Sequence, residues 1–277
     1  MSRILAVDSD GAVHVSLDEM LAGEGHTLEH ALNGDEALAM LLAAPFELVL
    51  TEIALPGMDG VTLLKRIREE RPETKVIIIT AESTPQTVVE SIRYQAFSYL
   101  GKPFTGVGLL ETVRSALHTK VEPGDVEVLS AQPNWISLRI RCKLVTADRL
   151  SQFFRELAID LEPDDRDSVS TAVRELLMNA IEHGGHSDPD KRVNLSYVRT
   201  ARSIVFYIGD PGDGFSIDNL PHAAVSNSPE QPFEHTEVRK KLGIRPGGFG
   251  ILLTKNFADE LVYSEKGNEV ILIKYLA

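Results

Sequence analysis

Residues 48–60 read LVLTEIALPGMDG, and the reading of this stretch decides the first half of the chain. An apolar run of strand type stops at Glu52, a Pro-Gly turn follows, and a helical pattern begins after Asp59. Outward from it, apolar runs alternate with helical patterns from Arg3 to about His118. RILAV precedes GAVHVSLDEML, a weak strand near His26–His30 precedes GDEALAMLLAA, KVIIIT precedes PQTVVESIRYQ, and FSYLG precedes GVGLLETVRSAL. This alternation predicts a doubly wound, five-stranded parallel sheet with helices on both faces.

At 277 residues the chain exceeds one typical domain, so two domains are expected. Its 43% hydrophobic and 25% charged content is that of a globular protein. With 28 basic against 41 acidic residues the net charge is −13, and no Lys/Arg stripe stands out, which argues against direct DNA binding. The single cysteine, Cys142, excludes an intrachain disulfide. Asp8 and Asp10 interrupt the opening where a signal peptide needs an apolar stretch, and no run approaches the ~20 apolar residues of a membrane helix. A cytoplasmic protein without membrane attachment is the expectation.

Ligands of open parallel sheets gather beyond the carboxyl ends of the strands. Asp8 and Asp10 follow the first strand, Glu52 follows the third, Thr80 ends the fourth, and Tyr99 and Lys102 lie at the fifth. Acids, a hydroxyl and a lysine converging from separate strand ends point to a built site rather than a solvated rim. With the stretches ILAVDSD, LVLTEIALPGMDG, VIIITA and SYLGKPF, they resemble the receiver domain of two-component response regulators over residues 1–120. The resemblance implies that acids after strand one help hold Mg2+, that the residue after strand three accepts a phosphoryl group, and that Thr80, Tyr99 and Lys102 respond to it.

The family pattern is broken at Ser9 and at Glu52. Ser9 replaces one of two adjacent acids, leaving Asp8 and Asp10 as a weak site for a cation that prefers several carboxylates. Glu52 replaces the phosphoacceptor aspartate, and its carboxylate reaches roughly 1.5 Å further, off the in-line position and towards Thr80 and Lys102. Glu52 is therefore expected not to accept phosphate but to imitate its charge, making an atypical pseudo-receiver. A plain Lys102 pairing without signalling is the alternative, and a receiver still open to a small-molecule phosphodonor is a third.

Residues 121–134 are rich in Pro, Gly and acidic side chains without helical periodicity and read as a linker. Residues 135–277 then read strand (WISLRIRCKL), helix (TADRLSQFFRELA), a long helix from Asp164 to about Glu182, strands RVNLSYVR and SIVFYIGD, a Gly/Pro-rich polar stretch, helix FGILLTKNFA, and strands LVYSE and EVILIKYLA. An α/β sandwich with an antiparallel or mixed sheet is expected.

The chain has no P-loop and no convincing dinucleotide fingerprint. Glu175, Asn179 and His183 instead make a polar stripe at i, i+4 and i+8 along TAVRELLMNAIEHGG. SIVFYIGD ends on Asp210 and runs into PGDGF, where Gly212 and Gly214 let the backbone approach a flat ligand. RPGGFGILLTK sets Gly247, Gly248 and Gly250 just before a helix, whose free N–H groups and dipole favour phosphate.

In this order the three features resemble the GHKL ATPase superfamily, which includes histidine kinases and gyrase. Within it the short domain and its ending ADELVYSEKGNEVILIK are most similar to the anti-sigma factor serine kinases. The resemblance implies ATP and Mg2+, with Asp210 on the adenine amino group, Asn179 as Mg2+ ligand and Glu175 as general base. His183, Gly212, Gly214, Gly247, Gly248 and Gly250 would shape the nucleotide pocket. It further implies an anti-anti-sigma-like protein as substrate, a sigma factor as alternative partner, and a homodimer. No histidine has the helical setting of a phosphorylated dimerisation histidine. The expectation is an ATP-dependent protein serine/threonine kinase regulated by the atypical receiver; the alternative is a module that holds nucleotide and sequesters a partner without turnover. Residues 215–246, with Arg239, Lys240, Lys241 and Arg245, are expected to form a lid.

Overall fold

The computed structural model describes residues 2–122, 124–214, 236, 240, 241 and 249–276, and the chain divides into two compact units, Met1–Val121 and Glu122–Ala277. In the first, β1 (Arg3–Val7), α1 (Gly11–Leu21), β2 (Thr27–Ala31), α2 (Gly34–Ala43), β3 (Leu48–Thr51), α3 (Gly60–Glu70), β4 (Lys75–Thr80), α4 (Pro85–Arg93), β5 (Ser98–Gly101) and α5 (Gly106–His118) alternate. The strands lie in the order β2-β1-β3-β4-β5, every pair parallel.

Strands covered on both faces become unbroken apolar runs, as β3 and β4 show. Ile4, Ala6, Leu48, Leu50, Ile77 and Ile79 pack with Leu17 of α1 and Leu109 and Val113 of α5. Their neighbours Leu5, Val49, Val76 and Ile78 are equally buried and point to the other face, because side chains alternate along a strand. Asp10, Asn33, Asp59, Thr84 and Thr105 cap the five helices by accepting backbone N–H groups. Every strand-to-helix turn thus falls at one edge, and the polar strand ends meet there.

The second unit runs β6 (Val126–Gln132), β7 (Trp135–Arg141), α6 (Leu144–Leu157), α7 (Pro163–Asn179), a π-turn (Ala180–Gly184), β8 (Arg192–Arg199), β9 (Ser203–Gly209), α8 (Gly250–Phe257), β10 (Glu260–Tyr263) and β11 (Glu269–Tyr275). The six-stranded sheet, β10-β11-β9-β8-β7-β6, is antiparallel at every pairing. Buried and accessible residues alternate along β7, β8 and β9, the pattern of a sheet with one face on a core. Ile136, Leu138, Leu195, Tyr197 and Phe206 fill that core with Phe154, Leu157, Val173 and Leu177 of the helices. Phe154 meets Phe206 edge-on with centroids 5.2 Å apart.

Two expectations are corrected. The stretch 121–134 is not merely a linker, since β6 occupies Val126–Gln132 and forms the sheet edge; a register shift between Val128 and Ser130 breaks the alternation that would have betrayed it. The long helix does not stay α-helical to Glu182: α7 ends at Asn179 and a turn of i→i+5 type follows. Among the described residues no helix is long and apolar enough to cross a membrane.

Candidate functional site

In the first unit, β1 delivers Asp8, β3 delivers Glu52, β4 ends on Thr80, and Lys102 follows β5. Lys102 Nζ donates to Asp8 Oδ2 at 2.7 Å and to Glu52 Oε2 at 2.8 Å. Glu52 Oε1 accepts the Ile53 N–H at 2.7 Å, and Oε2 accepts that of Ala81 at 3.4 Å. Glu52 is 7% and Asp8 5% exposed, so two carboxylates share a nearly dry site that one ammonium holds together. Burial pushes the Glu52 carboxyl upward, but hydrogen bonds from Lys102, Thr80 and the Ile53 N–H, with the Lys102 charge, outweigh it and hold the group below the ordinary carboxylate range. Burial likewise depresses Lys102, and the hydrogen bonds and charges of Asp8 and Glu52 raise it on balance.

Asp10 Oδ1 accepts the Ala12 N–H at 2.8 Å and so caps α1, while its own N–H donates to Asp8 Oδ1 at 2.9 Å. Among the described residues no three His, Cys, Asp or Glu side chains gather in a way that would hold a metal ion. Thr80 is buried and accepts the Glu82 N–H at 3.1 Å. Tyr99 is fully buried, its Oη 3.2 Å from Ser83 Oγ and 3.3 Å from Thr87 Oγ1, which ties β5 to the start of α4.

A histidine pair behind this pocket escaped the sequence reading. His14 Nε2 lies 2.8 Å from the Asp8 carbonyl oxygen, His14 Nδ1 and His30 Nδ1 are 2.7 Å apart, and His30 Nε2 is 3.1 Å from Asp18 Oδ1. Which ring nitrogen donates in each of these contacts depends on the tautomers of the two rings.

In the second unit, Glu175 and Asn179 stand one turn apart on the same side of α7, both half-buried. The π-turn carries His183 off the i+8 line, to an exposed position. Glu175 Oε1 accepts from Arg174 Nη1 at 3.1 Å, and Arg174 Nε donates to Asp148 Oδ1 at 2.6 Å. Glu175 Oε2 lies against the start of α8, where a Cβ on Gly250 would come 2.6 Å from it. After β9, Asp210 Oδ1 accepts the Gly212 N–H at 2.8 Å. Burial pushes the Asp210 carboxyl above its ordinary range, against the opposing pull of that N–H and the Lys266 charge.

Gly184, at the end of the π-turn, passes so close to Asp210 that a Cβ there would lie 2.2 Å from Asp210 Cγ. Gly214 adopts φ +81°, and a Cβ would strike the Lys266 carbonyl oxygen at 1.9 Å. A half-buried carboxylate beside positions free of side chains fits a flat group bearing an amino donor. The structure therefore brings Glu175 to Gly250 and Asp210 to Gly212, and adds Gly184 and Arg174. The doubled glycine of EHGG signalled the first addition; nothing local signalled the second, which depends on Asp148. Gly247, Gly248, Arg239, Arg245 and most of the expected lid lie outside the described residues.

Residues 4–114 match the model of the response regulator receiver domain, and residues 141–274 match that of the histidine kinase-like ATPase domain. The chain is 38% identical over 128 residues to the DNA-binding transcriptional regulator NtrC of Salmonella typhimurium, a match covering 45% of this chain and 27% of that protein. It is 34% identical over 112 residues to the transcriptional regulatory protein DltR of Streptococcus agalactiae, covering 40% of this chain and 50% of that one. A crystal structure of a CheY-like response regulator receiver domain protein from Methanospirillum hungatei matches at 35% identity and a TM-score of 0.41, covering 42% of this chain and 94% of that one. The chain thus spans between 27% and 50% of the length of these curated relatives.

Proposed function

Because this signal-transduction chain joins a receiver domain to a histidine-kinase-like ATPase domain, we propose that it is an ATP-dependent protein serine/threonine kinase of the anti-sigma type, controlled by an atypical receiver. The observation that carries this reading is the position of Glu175, one turn before Asn179 and with Oε2 against the start of α8, where phosphate is favoured. Asp210 accepts from the adenine amino group, Asn179 supplies an oxygen ligand to the Mg2+ of Mg2+-ATP, and the backbone at Gly184, Gly212 and Gly214 leaves room for the base. Glu175 takes the proton of a serine or threonine hydroxyl on an anti-anti-sigma-like partner. That oxygen bonds the γ-phosphorus as the bridge to the β-phosphate breaks and ADP departs. In the receiver, the Glu52–Lys102 contact at 2.8 Å supports a fixed charge in place of a transferable phosphoryl group.

The test incubates radiolabelled ATP with the full chain and a candidate anti-anti-sigma-like protein. Acid-stable label on the partner's serine or threonine is expected, lost in Glu175→Ala while a non-hydrolysable ATP analogue still binds. Acid-labile label on the chain itself would instead mark a histidine kinase.

One observation favours the second reading, a module that holds nucleotide and sequesters an anti-anti-sigma-like protein or a sigma factor. Arg174, anchored on Asp148, donates to Glu175 Oε1 at 3.1 Å, so that oxygen is already occupied where a hydroxyl proton would have to be received. Analogue binding without transfer in the wild type would select this reading.

A further inference from the structure

Helices α6 and α7 are joined at two places by the same arrangement of arginine, aspartate and glutamate. Arg155 of α6 donates from Nε to Asp167 Oδ1 of α7 at 2.6 Å and from Nη1 to Glu156 Oε1 at 3.0 Å. Arg174 of α7 donates from Nε to Asp148 Oδ1 of α6 at 2.6 Å and from Nη1 to Glu175 Oε1 at 3.1 Å. Asp148 and Arg155 stand seven residues apart on α6, as do Asp167 and Arg174 on α7, so the two arrangements lie about two turns apart along one antiparallel seam. Neighbouring residues on a helix do not face each other. Each arginine meets the glutamate that follows it with its guanidinium fixed on an aspartate of the other helix, and the planar group then offers both N–H bonds in set directions.

The two glutamates differ in their surroundings. Glu156 is 5% exposed. The Glu175 side chain is 27% exposed, and its Oε2 lies against the start of α8, where a Cβ on Gly250 would come 2.6 Å from it. The aspartate side chains are 50% exposed at Asp148 and 58% at Asp167, and pairs so open to water add little to stability. What the arrangement at Glu175 offers is therefore direction more than energy.

We propose that Asp148 and Arg174 are positioning residues for the general base: Arg174, fixed by Asp148, holds Glu175 Oε1 and leaves Oε2 turned to the phosphate end of the site. The proposal rests on Glu175 being the base. In the transfer described above, the hydroxyl proton goes to Oε2 while the hydroxyl oxygen bonds the γ-phosphorus and the bridge to ADP breaks; Arg174 keeps Oε1 throughout. A glutamate without such a hold spreads over several rotamers, and a base about 1 Å out of place can lower the rate about 100-fold. The contact that would block one carboxylate oxygen in a module without turnover here selects the other.

The experiment follows phosphate release from γ-labelled ATP by the full chain, with water replacing the partner's hydroxyl as acceptor, beside calorimetric titration with a non-hydrolysable analogue. Release by the wild type that Glu175→Ala abolishes establishes the base. Arg174→Met and Asp148→Ala are then expected to lower kcat at least about tenfold, with KM for ATP and analogue affinity within about twofold of the wild type. Asp148→Asn keeps an acceptor for Nε and should retain most of the wild-type kcat, whereas Arg174→Lys, whose single ammonium cannot span both acceptors, should fall with Arg174→Met. Arg155→Met breaks the twin arrangement and should leave kcat within about twofold, which separates positioning of the base from stapling of the helices. The proposal is overturned if Arg174→Met releases phosphate as fast as the wild type or faster, if Arg155→Met falls as far as Arg174→Met, or if the loss appears in analogue affinity rather than in kcat. Release by Arg174→Met from a wild type that binds the analogue but releases none overturns it equally. Analogue binding with no release by any of these proteins removes Glu175 as the base, and the positioning role falls with it.

Discussion

Replacing Lys102 by methionine keeps an apolar stem of similar length and removes the ammonium between Asp8 and Glu52. The two carboxylates, 5% and 7% exposed, lose donors now at 2.7 and 2.8 Å. Removing one member of a buried ion cluster costs about 3–5 kcal/mol. The Lys102 side chain is itself 19% exposed, so water softens the loss and the lower end, about 3 kcal/mol, is expected. Amides of β3 and β4 exchange through opening of the receiver core, so their exchange should quicken roughly 100-fold, since ~1.4 kcal/mol is a factor of ten. Hydrogen-exchange mass spectrometry on the full chain at pH 7 reads this directly.

The pH dependence sharpens the test. The folded-state Glu52 carboxyl lies below its ordinary 4.5, so its contribution is present above that value and lost as pH falls through the folded one. Lys102 lies above its ordinary 10.5, so its contribution is present below that value and lost as pH rises through the folded one. The wild-type site is thus complete between about pH 5 and 10. Without Lys102, burial is the largest influence left on Glu52 and favours its neutral form. The variant should therefore recover stability towards pH 5 and close part of the gap to the wild type. Unchanged exchange of β3 and β4 at pH 7, or a gap that widens on acidification, would refute the reasoning.

Gly184→Ala should weaken binding of a non-hydrolysable ATP analogue at least tenfold in calorimetric titration, because the new Cβ would meet Asp210 Cγ at 2.2 Å; unchanged affinity would remove Asp210 from the nucleotide site. The pair Ser9→Asp with Glu52→Asp shortens the carboxylate and restores the second acid, and should make the receiver accept phosphoryl groups from acetyl phosphate with Mg2+, seen as a mass gain of one phosphoryl group. The wild type is expected to show none, and equal labelling of both proteins would show that Glu52 is no barrier.

The parallel fold of the first unit was legible because a strand buried on both faces must be apolar throughout, and VIII in β4 or LVL in β3 has no other easy reading. The gathering of Asp8, Glu52, Thr80 and Lys102 followed from it, since right-handed crossovers leave every strand end on one edge. The second unit was legible where strands alternate cleanly, as in β7 and β8, and illegible in β6, whose bulge breaks the period and whose edge position asks for little apolar surface.

By itself the sequence determined the strands and helices of both units apart from β6 and the π-turn after α7, because burial on one or both faces leaves a local period that each segment carries alone. Only the tertiary structure decided that Lys102 divides itself between two carboxylates, that His14 and His30 share a hydrogen bond, that Arg174 holds Glu175 through Asp148, and that Gly184 passes against Asp210. These contacts depend on strand register and on how closely two backbones approach, which involve residues far apart in the chain and leave no period in either stretch.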